Sequence, residues 1–413
     1  MAPMRRCRFM RMGKLTNSVL AICCLGALLL SACSAVTNTG GRASSQQTER
    51  AAAPTPTVLS ADVVSAADAE YLLLTNIYAR SSPSVVNIEV TSGEETRRGS
   101  GFVYDRRGHL ITNAHLVNDA DAIMVTLRNT IVLDADLLGL DSFSDLAVLK
   151  ISAPEERLSP LRIGESATVK VGQRAVSIGN SFGLKASMTT GIVSGLGRTL
   201  PSAQLIDAGA AAGFDNPSII QIDAAIHPGN SGGPLLDSTG LVIGITTAMQ
   251  SESRQFQGIG FAVPADTMRR VIPDLIAEGR VEYAWLGISV MPENGGYGVG
   301  GLSEALDLPV ERGVLLRGVS EGSPAELAGL RGGDARVEVR GKPVCAGGDL
   351  IVAINDFYIE DLDALITYLV QNSRPGDEVE LVIIRDRQAM EVTLKLQSRP
   401  ERDRPTIDCN TAQ

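Results

Sequence analysis

The sequence is poor in aromatic residues, histidine and cysteine, and each scarcity narrows what the protein can be. Aromatic side chains make up 4% of the 413 residues, and the chain has 1 Trp, 3 His and 6 Cys. With 44% apolar residues and 42 Gly, it is neither collagen-like nor wholly disordered. Its length suggests two or three domains, at about 100 to 200 residues each, and is sufficient to bury a sizeable core without disulfides.

Positive charge is also scarce. The chain has 37 Lys and Arg against 47 Asp and Glu, which gives a formal net charge of -10. A protein that binds nucleic acid needs a basic face to displace counterions from phosphate. The balance therefore argues against nucleic acid as a partner and favours protein or peptide.

The cations that are present cluster at the N terminus. Residues 1–32 hold five of them and no anion, so the remaining chain carries a net charge of -15. A cationic start followed by the apolar run 19–30, which is too short for a comfortable membrane span, predicts an export signal. The sequence Leu30-Ser-Ala-Cys33 resembles a bacterial lipobox, which implies acylation of Cys33 and anchoring to a membrane of the cell envelope. The alternatives are an ordinary signal peptide or an uncleaved anchor.

Composition divides the rest of the chain. Residues 33–68 are rich in small and polar residues with no apolar period, which predicts a flexible tether. A short helix should follow, starting near Ser65 and ending at Pro83. Short apolar runs separated by Gly, Asn and Asp then predict one large or two small β-barrels, and residues 69–280 are assigned to this domain.

Residues 281–398 have a different sequence pattern. Strands alternate there with two short helices, one capped by Ser323 and one beginning near Asp361, which predicts a small α+β domain. Residues 399–413 form a tail. The stretch from 335 to 347 has the pattern of an inserted hairpin and contains Cys345. Cys345 and Cys409 are the two cysteines that remain outside the N-terminal region, and in an oxidising compartment they either pair or stay as free thiols.

A nucleophile, a base, an orienting acid and donors for an oxyanion are needed for acyl transfer without a metal. Only three histidines can supply the base. His115 follows an apolar strand, whereas His109 lies in a charged turn and His227 lies close to the candidate nucleophile. That nucleophile is Ser231, which lies between glycines in a segment where the N–H groups of Gly229 and Ser231 could converge on an oxyanion.

The residues alone leave four candidates for the orienting acid. Asp145 stands at the head of an apolar strand, where a carboxylate could hold an imidazole. Asp134, Asp136 and Asp141 are competitors. The order His, Asp, Ser is that of chymotrypsin-like enzymes and differs from the orders in subtilisin and the α/β-hydrolases.

Seven motifs in chain order resemble those of the HtrA (Deg) family of serine endopeptidases, over roughly residues 70 to 398. They are Gly99-Ser-Gly-Phe-Val, Thr112-Asn-Ala-His-Leu-Val, Ser144-Asp-Leu-Ala-Val-Leu-Lys, Ile178-Gly-Asn-Ser-Phe-Gly, Thr190-Gly-Ile-Val-Ser, Asp223-Ala-Ala-Ile-His-Pro-Gly-Asn-Ser-Gly-Gly-Pro and Gly258-Ile-Gly-Phe-Ala-Val-Pro. The resemblance implies a mainly β fold, a chymotrypsin-like double β-barrel, with His115 as base, Asp145 as orienting acid and Ser231 as nucleophile.

Two details of this region depend on the resemblance. The residue six positions before Ser231 lines the primary specificity pocket in similar enzymes, and here it is Ala225. Because no carboxylate stands there, we expect cleavage after medium aliphatic residues. His227 replaces an expected Asn and could perturb the oxyanion loop.

The second domain resembles the PDZ domains of the same family. Trp285-Leu-Gly-Ile288, Gly322-Ser-Pro-Ala-Glu-Leu-Ala-Gly-Leu330 and the helix from Asp361 carry that likeness. It implies that Leu286, Gly287 and Ile288 form a loop and strand edge that bind a peptide C terminus.

The expected function is that of an ATP-independent, lipid-anchored serine endopeptidase acting on misfolded or regulatory exported proteins, with a homotrimer or higher oligomer implied by the family. No P-loop, H-E-x-x-H motif or Cys/His cluster appears in the sequence, so no cofactor or metal is expected. The alternatives are a peptide-binding chaperone whose triad is silenced and a membrane-tethered adaptor that uses only the PDZ groove.

Overall fold

The computed structural model describes residues 61–127, 130–180, 186–201, 215–227, 229–247, 258–291 and 295–400. The predicted signal, Cys33 with its predicted acylation and the C-terminal Cys409 lie outside these residues, as does most of the tether. No helix in the described ranges is both long enough and apolar enough to cross a membrane.

The first element is the helix α1, Ala61–Ser81, followed by a 3₁₀ turn at Ser82–Ser84. It begins four residues before the predicted start at Ser65, so the last part of the predicted tether is helical. Asp62 in the first turn favours this start, because a negative charge there complements the helix dipole. Ile77 anchors the helix in the core at 0% exposure, and Pro83 ends it as predicted.

Six antiparallel strands close the first barrel in the order β1-β2-β3-β6-β5-β4. Its strands are β1 Val85–Ser92, β2 Glu95–Val103, β3 His109–Thr112, β4 Ala122–Leu127, β5 Ile131–Asp141 and β6 Leu146–Ile151. The short helix α2, Ala114–Val117, follows β3. The apolar runs 122–127 and 146–151 predict β4 and β6 with their observed ends, whereas no apolar run predicts β5, because charged residues interrupt its pattern.

A second barrel closes in the order β10-β11-β12-β9-β8-β7. Its strands are β7 Arg174–Gly179, β8 Ser187–Pro201, β9 Asp215–Ile222, β10 Pro234–Leu236, β11 Val242–Thr247 and β12 Gly260–Pro264. Two 3₁₀ turns, Glu155–Arg157 and Ser166–Thr168, join the barrels. The prediction of two small barrels is confirmed. Helix α3, Ala265–Glu278, leaves this barrel and ends at Gly279, whose φ of +73° suits a glycine cap.

The C-terminal domain has a sheet of order β14-β15-β18-β20-β21, with β19 paired to β18 and two separate two-stranded pairs, β13 with β22 and β16 with β17. Its elements are β13 Ala284–Trp285, β14 Ile288–Val290, α4 Val299–Leu302, β15 Val314–Val319, α5 Pro324–Leu327, β16 Ala335–Val339, β17 Lys342–Ala346, β18 Leu350–Ile354, β19 Phe357–Tyr358, α6 Leu362–Asn372, β20 Glu378–Arg385, β21 Gln388–Lys395 and β22 Gln397–Ser398. This confirms the expected small domain of strands and short helices.

Both predicted helix caps are present. Ser323 Oγ accepts from the Glu326 N–H at 3.1 Å, and Asp361 Oδ1 accepts from the Ala364 N–H at 2.8 Å. The Glu326 carboxylate bonds the N–H of Gly322, one residue before the position that a capping box predicts.

The apolar face of α6 is only partly covered. Helical spacing predicts that four apolar residues of this face are buried, and Leu365 is, but the other three are half exposed: Leu362, Ile366 and Leu369. The reason is that they border an open groove.

Residues 335–346 form the predicted hairpin, which packs Val339 and Val344 against Tyr297 and Leu302. Cys345 on this hairpin is disulfide-bonded, and its partner lies outside the described residues. The pairing with Cys409 therefore stays a prediction.

Candidate active site

His115 and Asp145 meet at the junction of the two barrels. His115 lies on α2, just after β3, and Asp145 lies just before β6, two strands that pair in the first barrel. The ring Nδ1 of His115 lies 2.9 Å from both carboxylate oxygens of Asp145. The backbone N–H of His115 also donates to Asp145 Oδ1 at 3.0 Å, so one carboxylate fixes both the ring and the chain that carries it.

Asp145 is itself held by residues from both barrels. Its carbonyl oxygen accepts from the Ala114 N–H at 3.2 Å and from Asn113 Nδ2 at 3.0 Å. Its Oδ2 accepts from the hydroxyl of Thr247, at the end of β11, at 3.0 Å. The residue is fully buried and has a φ of +56°, a strained conformation that these bonds maintain.

Burial and charge act in opposite directions on the imidazole. Burial favours the neutral ring, but the negative charge of Asp145 and its hydrogen bond outweigh this effect and raise the pKa of His115. The bond to Nδ1 leaves Nε2 of a neutral ring as the acceptor, which is the tautomer that a general base requires.

The three competing aspartates have other surroundings. Asp134 and Asp136 point from β5 into solvent. Asp141 accepts hydrogen bonds from the hydroxyls of Ser144 and Tyr283, and burial raises its pKa. The structure thus pairs Asp145 with His115, a choice that the residues alone left open.

The other two histidines are placed differently. His109 is buried, with Nδ1 2.7 Å from Asp105 Oδ2, a hydrogen bond that gives the ring a structural role. The side chain of His227 is exposed, and its carbonyl oxygen accepts from the Asn230 N–H at 2.9 Å. His227 therefore contributes to the turn before Ser231 through its backbone.

Ser231 lies in a turn in which the carbonyl groups of residues 229 to 231 all accept hydrogen bonds. The oxygens of Gly229 and Ser231 accept from Ser100, through its hydroxyl at 2.6 Å and its N–H at 2.8 Å. The oxygen of Asn230 accepts from the Thr246 hydroxyl at 2.8 Å and from the Gly233 N–H at 2.9 Å. Because a trans peptide directs N–H and C=O oppositely, the Ser231 N–H points away from Thr246.

Glycine is required at two positions in this turn. Gly229 has a φ of +94° and Gly232 a φ of +85°. A Cβ at Gly232 would lie 2.0 Å from the carbonyl oxygen of Ser100. These glycines let the second barrel approach β2 closely enough for the backbone of Ser100 to reach Ser231.

Ala225 lies half-buried in the segment that leads from β9 to Ser231. This segment runs close to two glycines of neighbouring strands: a Cβ on Gly191 would come within 2.5 Å of Ala224 N, and one on Gly260 within 2.8 Å of Ile226. The role of Ala225 in specificity stays a prediction.

Leu286, Gly287 and Ile288 border a groove in the C-terminal domain. β14, which contains Ile288, is an edge strand, and its unpaired side faces α6. Gly287 has a φ of +78° and lies so close to Ser323 that a Cβ would come within 2.1 Å of the Ser323 side chain. Phe143, which belongs to the loop before Asp145, also lines this groove.

Three contacting residues at this site were not singled out from the sequence: Ser100, Thr247 and Tyr283. Ser100 belongs to a quoted motif, but nothing in a sequence places its hydroxyl against Gly229. Within the described ranges, no group of three or more His, Cys, Asp or Glu is arranged to hold a metal ion.

Comparison with known proteins agrees with this geometry. Residues 99–245 match the family described as trypsin-like peptidase domain, and residues 284–396 match the PDZ domain family. The chain is 36% identical over 329 residues to Protease Do-like 1, chloroplastic, of Arabidopsis thaliana, covering 79% of this chain and 69% of that protein. It is 37% identical over 303 residues to the probable periplasmic serine endoprotease DegP-like of Brucella suis biovar 1, covering 73% of this chain and 53% of that protein.

Solved structures of HtrA-type proteases are also similar to this chain. The structure described as the HtrA-type protease AlgW with tripeptide superposes with a TM-score of 0.64 at 33% identity, covering 80% of this chain and 98% of that one. This chain spans only about half the length of the DegP-like relatives. It belongs to the HtrA (DegP-like) family of serine endoproteases, with a trypsin-like double β-barrel followed by a PDZ domain.

Proposed function

We propose that this protein is an ATP-independent serine endopeptidase of the bacterial cell envelope that cleaves misfolded or regulatory exported proteins. The observation that carries the proposal is the His115–Asp145 pair: a buried carboxylate holds Nδ1 of the imidazole with both oxygens at 2.9 Å. Of the four aspartates considered, Asp145 alone makes this contact.

In the proposed reaction Ser231 attacks the scissile carbonyl and His115 takes its proton. Asp145 stabilises the imidazolium that forms, without itself taking a proton. The N–H groups of Gly229 and Ser231 stabilise the oxyanion, and His115 returns the proton to the leaving amine. Hydrolysis of the acyl-enzyme by water repeats these steps.

The PDZ groove gives the proposed enzyme a second peptide-binding surface. An exposed C terminus or extended segment would add to the free edge of β14, with Leu286, Gly287 and Ile288 forming the end of the groove. Peptide-bound structures of HtrA-type relatives support this assignment. The groove would hold a substrate or a signalling peptide while the barrels cleave.

Location and assembly complete the proposal. Bacterial relatives named periplasmic endoproteases support export, and the lipobox at Cys33 supports a lipid anchor. Tyr71 and Leu72 on α1 are 65% and 62% exposed, so α1 presents an apolar face that supports a homotrimer or higher oligomer. Light scattering on the chain lacking residues 1–33 should give a mass of at least three chains, and a monomer would contradict this part.

The activity is tested with casein and a fluorogenic peptide, without ATP. The wild type should cleave both, and Ser231→Ala should leave no activity above background. Asp145→Asn should lower kcat by about 10⁴-fold, because the imidazole then adopts the wrong tautomer. Asp134→Asn is the matched control, since Asp134 is exposed on β5, and it should keep wild-type kcat.

Two outcomes would contradict the proposal. Equal turnover by the wild type and Ser231→Ala would assign any cleavage to a contaminant and would favour a silenced, peptide-binding chaperone. Loss of activity in Asp134→Asn but not in Asp145→Asn would refute the assignment of the acid.

A further inference from the structure

Ser100 connects the two barrels at a point that the proposed reaction does not use. It lies on β2 in the motif Gly99-Ser-Gly-Phe-Val and is 0% exposed. Its hydroxyl donates to the carbonyl oxygen of Gly229 at 2.6 Å and accepts from the Asn180 N–H at 2.7 Å. One hydroxyl of the first barrel thus bonds two segments of the second.

The backbone of Ser100 holds the same loop. Its N–H donates to the Ser231 carbonyl at 2.8 Å, and its own carbonyl accepts from the Thr112 hydroxyl at 2.7 Å. Side chain and backbone of a single residue therefore fix the carbonyl groups on both sides of Asn230. These are the carbonyls of Gly229 and Ser231, whose N–H groups are the proposed oxyanion donors.

The loop needs such a restraint because of its glycine. Gly229 has no Cβ, so its backbone rotates more freely than that of any other residue type, and its φ is already +94°. The peptide unit between Gly229 and Asn230 is bonded at both ends, its oxygen to Ser100 and its N–H to the carbonyl of His227 at 2.9 Å. Without the hydroxyl, one of these two bonds is lost and the unit can turn.

We propose that Ser100 is a positioning residue for the oxyanion hole: its hydroxyl fixes the Gly229 carbonyl, which restrains rotation about the backbone bonds of Gly229 and so keeps the donor N–H on the other side of the same Cα directed at the developing oxyanion. The inference rests on the proposed endopeptidase function and deepens it. Ser100 touches neither the substrate nor the reacting atoms. Because oxyanion donors act on the transition state, loss of the hydroxyl should lower kcat and leave KM unchanged.

Ser177 provides a matched control. It is also a fully buried serine, on β7 of the second barrel, and its hydroxyl has no hydrogen-bond partner within the described part of the chain. Ser177→Ala removes the same oxygen from the same protein without breaking a bond. It should keep wild-type kcat.

The experiment uses the chain lacking residues 1–33 and measures kcat, KM and the pH profile of kcat/KM on a fluorogenic peptide for the wild type, Ser100→Ala, Ser177→Ala and Ser231→Ala. We expect Ser100→Ala to lower kcat by about 10- to 100-fold, less than the loss of a donor itself, with KM unchanged. The acid limb of its pH profile should keep the wild-type midpoint, because His115 and Asp145 are untouched. General damage to the site would shift that midpoint or raise KM.

Wild-type kcat in Ser100→Ala, or a loss of kcat accompanied by a shifted acid limb, would overturn the inference while the proposed function stands. If Ser100→Ala does not fold, Ser100→Cys replaces it, since a thiol has a similar shape but is a weak donor. That variant should show the same loss of kcat, and wild-type kcat would overturn the inference. If the wild type is as inactive as Ser231→Ala, the proposed function fails and this inference fails with it.

Discussion

Tyr283 contacts the loop that precedes Asp145, the proposed acid. It lies one residue before β13, the first strand of the C-terminal domain, and its hydroxyl donates to Asp141 Oδ2 at 2.5 Å, while its ring packs edge-on against Phe143 with centroids 4.6 Å apart. The N–H groups of Phe143 and Ser144 also donate to the Asp141 carboxylate. Asp145 follows directly, so Tyr283, one residue before the PDZ match, contributes to fixing the loop that leads to the proposed acid.

Removing the Tyr283 hydroxyl should therefore lower the free energy of unfolding. Tyr283→Phe keeps the ring contact but deletes a hydrogen bond to a buried carboxylate, which is worth about 1.5–3 kcal/mol. The matched control is Tyr297→Phe: that hydroxyl donates at 3.3 Å to the neutral carbonyl of Val339, a bond worth about 0.5–1.5 kcal/mol. From the middle of each range, we expect the free energy of unfolding to fall about twice as far in Tyr283→Phe.

Urea denaturation followed by tryptophan fluorescence measures both variants. The chain has 1 Trp, and it is Trp285, two residues from Tyr283, so the signal reports on this junction. Burial and the charge of Asp141 raise the pKa of Tyr283, which keeps the hydroxyl protonated as a donor. Since the bond is stronger to the ionised carboxylate, the loss should be larger at neutral than at mildly acidic pH. Equal losses in the two variants, or a loss independent of pH, would refute the reasoning.

Three further predictions concern the site. Because the neutral imidazole is the base and the pKa of His115 is raised, kcat/KM should fall as pH falls through a midpoint above the ordinary value of about 6.5; a midpoint below that value would contradict the Asp145 contact. Thr247→Val removes a hydrogen-bond donor to Asp145 without changing the shape of the side chain, so the carboxylate should attract the imidazolium more strongly. The pH profile of kcat/KM should then shift to higher pH, and an unchanged profile would refute the contact. Gly232→Ala should lower the melting temperature and abolish turnover. A left-handed φ alone costs about 1–2 kcal/mol, and the new Cβ would collide with the carbonyl oxygen of Ser100. A stable, active variant would disprove the close approach.

Much of the fold could be predicted from local patterns. The ends of β4 and β6 follow from apolar runs between turn residues, and the caps at Ser323 and Asp361 follow from residue type. The strand β5 could not, because its exposed Asp134 and Asp136 resemble a loop. Its place is fixed by pairing with β4 and β6 on either side.

The sequence by itself determined which residue types carry the chemistry. With three histidines in the sequence, His115 is nearly selected by elimination, Ser231 is indicated by the Gly229-Asn-Ser-Gly-Gly segment, and the motifs around them indicate the family. The peptide-binding loop at Leu286 to Ile288 is implied by the resemblance to PDZ domains. Each of these depends on neighbours within a few positions along the chain.

Only the tertiary structure decided which aspartate meets His115 and which residues hold the site. Asp145 is 30 residues from His115, Thr247 is 102 residues from Asp145, and Ser100 is 129 residues from Gly229. Hydrogen bonds act over about 3 Å, so such pairs exist only once two closed barrels are pressed together. The packing of the two barrels therefore determines which side chains position the site, and no local sequence pattern contains this information.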